Sequence, residues 1–369
     1  MKIDRVEALH LRLPEVLEVA DGTQDVLIIR VHADDGRIGL GEVVSCSYVG
    51  RAVIEAPRSA PFRHGLAAIV TGMDVDAIDD IALAVEQGTA WYGPGGIARH
   101  VYSGLDMALW DLRGQAAGVP VRRLLSADAV DSVPAYASVL WPERPELVAP
   151  SARAFVDAGY RFVKYGWAPM GPDLNLDVEL VAAARQALGE NVGLMVDAGR
   201  AWTVTEAMQR AERFAAYKPF WLEEPLHPYD NAGYAELSAS SPVPIAGGEA
   251  VTLLGEYDEL LATGLHFVQP DLGRVGGITY AQRLAATALH LGCRPVPHAF
   301  GTGILLAASA QWTAAAPEPL TEFTRAPSPL ARELAHHTME FRDGQLHLDD
   351  TPGLGVTLDE AVVARYRVN

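Results

Sequence analysis

The sequence predicts an α/β fold in which a (β/α)8-type barrel follows an N-terminal α+β region. Three observations lead there. From about Ser132 onward, short β-rich runs alternate with helical stretches, the signature of βα units that feed a parallel sheet. Nearly every one of those runs after the first ends in a polar or ionisable side chain. Before Ser132 the order differs, with strands first and helices after, so that region follows another plan.

In chain order, Asp25 to His32 and Arg37 to Val43 are β-rich and flank Asp35-Gly36, a turn pair, which predicts a hairpin. Ser45 to Gly65 has no clean period and is expected to be a long loop. Asp74 to Gln87 and Ala98 to Ala117 read as helices, the second with Val101, Leu105, Ala108, Leu109 and Leu112 at helical spacing. The barrel runs are Val133 to Val139, Arg161 to Gly166, Val192 to Asp197, Phe220 to Glu224, Val243 to Glu249, His266 to Asp271, Arg294 to His298 and Leu320 to Phe323. The tail breaks the pattern. Met339 to Leu348 is a hairpin around Asp343-Gly344, and Pro352-Gly353-Leu354-Gly355 follows; this segment is expected to leave the barrel and rejoin the N-terminal region. The expected units are residues 1–130, 131–335 and 336–369.

About half of the 369 residues are apolar, ample for a large core. The formal net charge of −18 argues against nucleic acid, because no basic stripe is present to neutralise phosphates. Cys46 and Cys293 are isolated thiols outside any zinc or haem spacing, and they fit a reducing cytoplasm. The charged N-terminus has no signal-peptide core, and no stretch approaches the ~20 apolar residues of a membrane span. Small molecules are therefore the expected partners.

In a barrel, the C-terminal strand ends converge on one mouth. The runs deliver Lys164, Asp197, Glu223, Glu249, Asp271, His298 and Glu322 to it, in that order. Asp197, Glu223 and Glu249 lie 26 residues apart in turn. One such carboxylate would read as a helix cap, favoured by the N-terminal dipole. Three in register would repel one another, and a hard divalent cation such as Mg2+ resolves that with all-oxygen ligation. Asp271 and His298 lie 27 apart on adjacent strands. A carboxylate on one ring nitrogen fixes the tautomer and raises the basicity of the other, which makes His298 a candidate general base or acid. The chemistry this suggests is removal of a proton next to a carboxylate. A metal, with Lys164 as a second positive contact, would stabilise the dianion left behind.

Over essentially its whole length the chain resembles the enolase superfamily, mandelate racemase subgroup. The matching segments are LMVDAG (194–199), WLEEP (221–225), IAGGE (245–249), QPDLGRVGG (269–277) and VPH (296–298), with DDGRIGLGE (34–42) and SGLDMALWDLRG (103–114) upstream and PGLGV (352–356) at the end. The resemblance implies an α+β capping domain over a (β/α)7β barrel and Mg2+ on Asp197, Glu223 and Glu249. It also implies an Asp271–His298 dyad, a substrate-bonding Glu322, enediolate chemistry and a homo-oligomer. Glu224 is expected to be structural. Two departures stand out. Where the subgroup often has Lys-x-Lys on strand two, this chain has Lys164-Tyr165-Gly166, so a base on the second face is missing unless Lys164 or Tyr165 replaces it. Position 199 is Gly where many relatives have Asn.

One retained base favours dehydration of a sugar acid to a 2-keto-3-deoxy acid, and GTGILLAASAQWTAAAP (301–317) also looks like sugar-acid relatives, galactarolactone cycloisomerases among them. A cycloisomerase or epimerase acting on a lactone stays open, as does a small-molecule-binding barrel without catalysis. In the family, cap loops close the site, and the corresponding stretches are Pro14 to Gln24 and Ser45 to Arg63. Tyr48 and Arg51 on the second, with Trp141 and Trp167 just past strands one and two, are candidate substrate contacts. An arginine there could grip a second carboxylate.

Overall fold

The computed structural model describes residues 1–60 and 63–368; Pro61 and Phe62, within the segment expected to be a loop, and Asn369 lie outside the described residues. An antiparallel sheet opens the chain, with β1 (Ile3–Arg12), β2 (Asp25–Ala33) and β3 (Ile38–Val43) in that spatial order. The sequence gives little sign of β1 because Ala8 to Leu11 is buried on both faces, which removes the alternation that marks a strand. The helix Ile97–Ala117 lays Val101, Leu105, Ala108 and Leu112 across this sheet.

The expected loop at 45–65 is corrected in part: Ser47–Glu55 is a helix. Its buried stripe is Ser47, Gly50 and Ile54, so a single large apolar residue carries the helical period and the signal is faint. The helix expected at Asp74 begins instead at Ile78, because Asp74 accepts a bond from the Asp76 amide (3.0 Å) and holds a turn there.

The barrel strands are β4 (Ser132–Leu140), β5 (Phe162–Gly166), β6 (Gly193–Asp197), β7 (Trp221–Glu223), β8 (Ile245–Gly247), β9 (Phe267–Val268), β10 (Arg294–Pro295) and β11 (Thr321–Thr324). β4 to β10 pair in parallel in sequence order, and β11 pairs with β4. A helix follows each of β4 to β10, which gives the (β/α)7β arrangement under a capping sheet. Tyr136, Met195, Trp221 and Ala246 on β4, β6, β7 and β8, with Val296 and Leu320 beside β10 and β11, form a separate apolar cluster in the barrel.

Four short strands complete the chain: β12 (Ala335–His337), β13 (Glu340–Arg342), β14 (Gln345–His347) and β15 (Val356–Leu358). The expected hairpin forms from β13 and β14 but does not leave the barrel. β14 pairs antiparallel with the start of β4, Leu346 opposite Val133, and Phe341 stacks on Tyr160 at 4.0 Å. The return to the cap comes later. Val363 and Tyr366 of the helix Glu360–Tyr366 pack with Leu9, Leu11, Val26 and Ile28, and the Val368 amide donates to the His10 carbonyl (2.8 Å). Both cysteines are free thiols, and among the described residues no helix is long and apolar enough to cross a membrane.

Candidate active site

Strand register assembles the site. Gly166 pairs with Asp197 across β5 and β6, and Asp197 with Glu223 across β6 and β7, so residues far apart in sequence become lateral neighbours. Lys164, from the same strand as Gly166, is 2 % exposed. Its Nζ lies 2.5 Å from Glu223 Oε1 and 3.0 Å from Glu322 Oε1. Glu223 is bonded further by the Trp221 indole N–H at 2.9 Å. Asp271 and His298 form an isolated parallel bridge. Their side chains meet at 2.6 Å between Asp271 Oδ2 and His298 Nδ1, so the carboxylate accepts the Nδ1 proton and Nε2 faces the carboxylates, 3.1 Å from Glu249 Oε2 and 4.0 Å from Glu322 Oε2.

The burial of so many charges sets their ionisation. Burial lifts Asp197 well above the usual carboxylate range, and Glu223 and Glu249 add to it. Burial likewise raises Glu223, against the pull of Lys164. Burial opposes ionisation of Glu322 too, but Lys164 and His298 outweigh it and hold this carboxyl at about 2. For His298, burial is outweighed by Glu249, Glu322 and Asp271, which push it up to about 10. Glu224, the second carboxylate of the pair, is held by backbone groups; burial raises it, and Glu249 and Glu223 lie near enough to raise it further. Its Oε1 accepts from the Gly248 amide (3.4 Å) and its carbonyl from the Arg200 amide (2.7 Å).

Among the described residues, no three His, Cys, Asp or Glu side chains are gathered into a group that could hold a metal as they stand. Glu223 engages Lys164 and Glu249 engages His298 instead. The donor chemistry nevertheless fits a hard divalent cation. Asp197, Glu223 and Glu249 offer only oxygen, all three are at most 5 % exposed, and Asp197 and Glu223 are raised partly by neighbouring carboxylates.

A cavity of about 280 Å³ opens over these groups, lined by Lys164, Asp197, Glu249, His298 and Glu322. Val19, Ala20, Asp21 and Gly22 also line it, so the first cap stretch does cover the mouth. Among its described residues, the second does not. Tyr48 is 56 % exposed and packs edge-on to His10, while Arg51 bonds Glu55 and the Val368 carbonyl. Neither lines the cavity, because their helix faces the N-terminal sheet and the chain's end. Trp141 is corrected as well: its ring stacks on Tyr165 at 4.8 Å and does not line the cavity. Trp167 does line the cavity. Tyr165 cannot serve the missing face, since its hydroxyl bonds Ser151 on the helix Val148–Asp157, at the barrel's outer side. The sequence reading missed Arg274, which lines the cavity and donates to the Val44 and Glu249 carbonyls at 3.2 Å. Its place, three residues past a strand-end carboxylate, was the available signal.

Comparison with known proteins agrees with this architecture. Residues 147–362 match the family described as enolase C-terminal domain-like, and residues 6–126 match the mandelate racemase/muconate lactonizing enzyme N-terminal domain. The chain is 30 % identical to a D-galactarolactone cycloisomerase of Agrobacterium fabrum, over 93 % of this chain and 91 % of that one. It is 32 % identical to an L-talarate/galactarate dehydratase of Salmonella typhimurium, over 91 % and 81 %. Among solved structures, a 3,6-anhydro-D-galactonate cycloisomerase from Zobellia galactanivorans superposes with a TM-score of 0.91 at 26 % identity, covering all of both chains. A Streptomyces coelicolor racemase with bound magnesium gives 0.87 at 28 % identity, over 99 % of this chain and 100 % of that one. The chain is thus an enzyme of the lyase or isomerase kind and belongs to the mandelate racemase/muconate lactonizing enzyme family of the enolase superfamily.

Proposed function

We propose that this enzyme removes the proton α to the carboxylate of a sugar acid and expells the β-oxygen as water, giving a 2-keto-3-deoxy acid. The observation that carries this is the one-sided site. A histidine oriented by Asp271 at 2.6 Å faces the cavity, and the strand-two position that could hold an opposing base is Gly166. Once a cation on Glu249 offsets the charge that helps keep His298 protonated, His298 Nε2 is free to take the α-proton; the β-carbon–oxygen bond breaks, and the same imidazolium returns the proton to the departing hydroxyl. The enol that remains tautomerises to the keto acid. Lys164, held between Glu223 and Glu322, serves as a fixed cation beside the substrate carboxylate. Glu322, anchored by the Ala299 amide at 2.5 Å, accepts a substrate hydroxyl. Mg2+ on Asp197, Glu223 and Glu249 would supply the positive charge that stabilises the dianion left by proton removal.

A second reading uses the same steps with a ring oxygen as leaving group, which is cycloisomerisation of a sugar-acid lactone. The likeness to cycloisomerases favours it. Epimerisation needs a base on both faces and is disfavoured by Gly166 and by the outward hydroxyl of Tyr165. The test is a panel of aldonates, aldarates and their lactones with Mg2+, scored for 2-keto acid by semicarbazide and for mass. Loss of water marks dehydration, and an unchanged mass marks cycloisomerisation. Activity should vanish in His298→Asn and after EDTA. Keto acid formed equally well in both controls would sink the assignment of base and metal.

A further inference from the structure

We propose that Trp167 is a stacking platform for a closed sugar ring, so that the ring-closed form of the sugar acid is bound in preference to the open chain. This rests on the sugar-acid reading above and, within it, selects the ring oxygen over water as the leaving group.

Trp167 directly follows β5 with φ at 69°, a left-handed conformation that a bulky residue rarely adopts. Its amide is fixed to the Asp197 carbonyl at 3.2 Å, so the strained turn is tied to the end of β6. The turn brings the indole over Gly199. A Cβ at position 199 would lie 3.0 Å from Trp167 Cδ2 and 3.2 Å from Cε3, so a side chain there would crowd the ring. Arg200, also left-handed at φ 66°, sets its guanidinium 5.1 Å from the indole centroid. Its amide bonds the Glu224 carbonyl at 2.7 Å. Gly199 and the left-handed Arg200, from the neighbouring strand end, thus meet the indole of a left-handed Trp167.

That indole lines the cavity holding His298 and Lys164. Beside it Gly166 offers neither charge nor bulk. A furanose or pyranose ring presents a row of C–H bonds that covers an aromatic face. An extended polyhydroxy chain exposes hydroxyls all round and gains little from such a surface. Strain kept at a ligand-facing residue is the expected mark of a preformed contact.

The test uses the whole enzyme with saturating Mg2+ and matched pairs of hexarates and their 1,4-lactones, galactarate and its lactone among them. KM and kcat are measured for wild type, Trp167→Ala and Trp167→Phe, with thermal melts as a folding control. Lactone binding to His298→Asn is measured by calorimetry. Wild type should show the lower KM for the lactone. Trp167→Ala should weaken the lactone more than the open chain by about tenfold, mostly in KM, and Trp167→Phe should recover most of it. Equal losses on both forms, or a wild type that favours the open chain, would overturn the platform. Wild-type turnover of no sugar acid in the panel, with no lactone binding, would instead overturn the sugar-acid reading on which it rests.

Discussion

Gly166 makes a sharp prediction about how the site has closed around the absent second lysine. It pairs with Asp197 across two parallel strands, and its backbone is not left-handed, so conformation alone would admit any residue. Space does not. A Cβ at 166 would lie 2.6 Å from Asp197 Oδ2, 2.8 Å from its Cβ and 2.9 Å from its Cγ, all closer than real contacts. Asp197 cannot simply swing away, because its Oδ1 holds the Gly199 amide at 2.8 Å and its carbonyl holds Trp167. Overpacking of this kind costs ~1–3 kcal/mol. If that falls on the metal-bound geometry, Gly166→Ala should weaken Mg2+ binding about 5- to 150-fold, with a small change in melting temperature. Calorimetric titration of Mg2+ into wild type and Gly166→Ala measures it, and Gly166→Lys should be at least as impaired. Unchanged Mg2+ affinity in Gly166→Ala would refute both the clash and the placing of Asp197 in the metal site.

Three further outcomes are expected. Asp177 and Arg210 form a buried pair at 2.7 Å that also holds Gly171 through both partners, so Asp177→Ala should lower unfolding free energy by about 3–5 kcal/mol in urea titrations. Glu42 on β3 accepts from the Thr302 amide (3.0 Å), the Thr302 hydroxyl (2.6 Å) and the Leu305 amide (3.0 Å), capping the helix that follows the His298 loop; Glu42→Ala should cost about 3 kcal/mol by the same assay and lower kcat. Burial pushes Asp106 up to about 7 from an ordinary 3.8, despite its bonds to Thr279. Between those values the unfolded carboxyl is ionised while the folded one keeps its proton. Its contribution to stability is therefore full below pH 3.8 and lost as pH rises through 7. Asp106→Asn should flatten the stability profile over that window, and an unaltered slope would exclude Asp106 as its source.

The barrel was legible because each strand is short, apolar and closed by a polar residue, and because the same interval recurs from Asp197 to Glu223 to Glu249. Local pattern failed where burial is two-sided, as in β1, or where a helix stripe is made of small residues, as at Ser47 and Gly50. The dyad contact at 2.6 Å was foreseeable, since adjacent parallel strands leave their ends side by side. Which aromatic or arginine reaches the mouth was not. Trp141 and Trp167 both lie just past a strand, and only a left-handed turn at Trp167 separates a cavity wall from a residue packed on Tyr165. Such a turn leaves no trace in composition or period.

The tail's seat on β1 has a consequence for the order in which the chain can become complete. The amide of Val368 closes on His10, Arg367 bridges Leu11, and Val363 and Tyr366 cover Leu9 and Leu11. During synthesis the first strand emerges early, yet its last neighbours are translated some 350 residues later, at the far end of the described chain. One flank of the cap therefore waits, apolar side chains uncovered, through translation of the whole barrel. Nascent chains arrested before residue 360 should be captured by holdase chaperones through the 9–28 region, and release past residue 368 should end that capture.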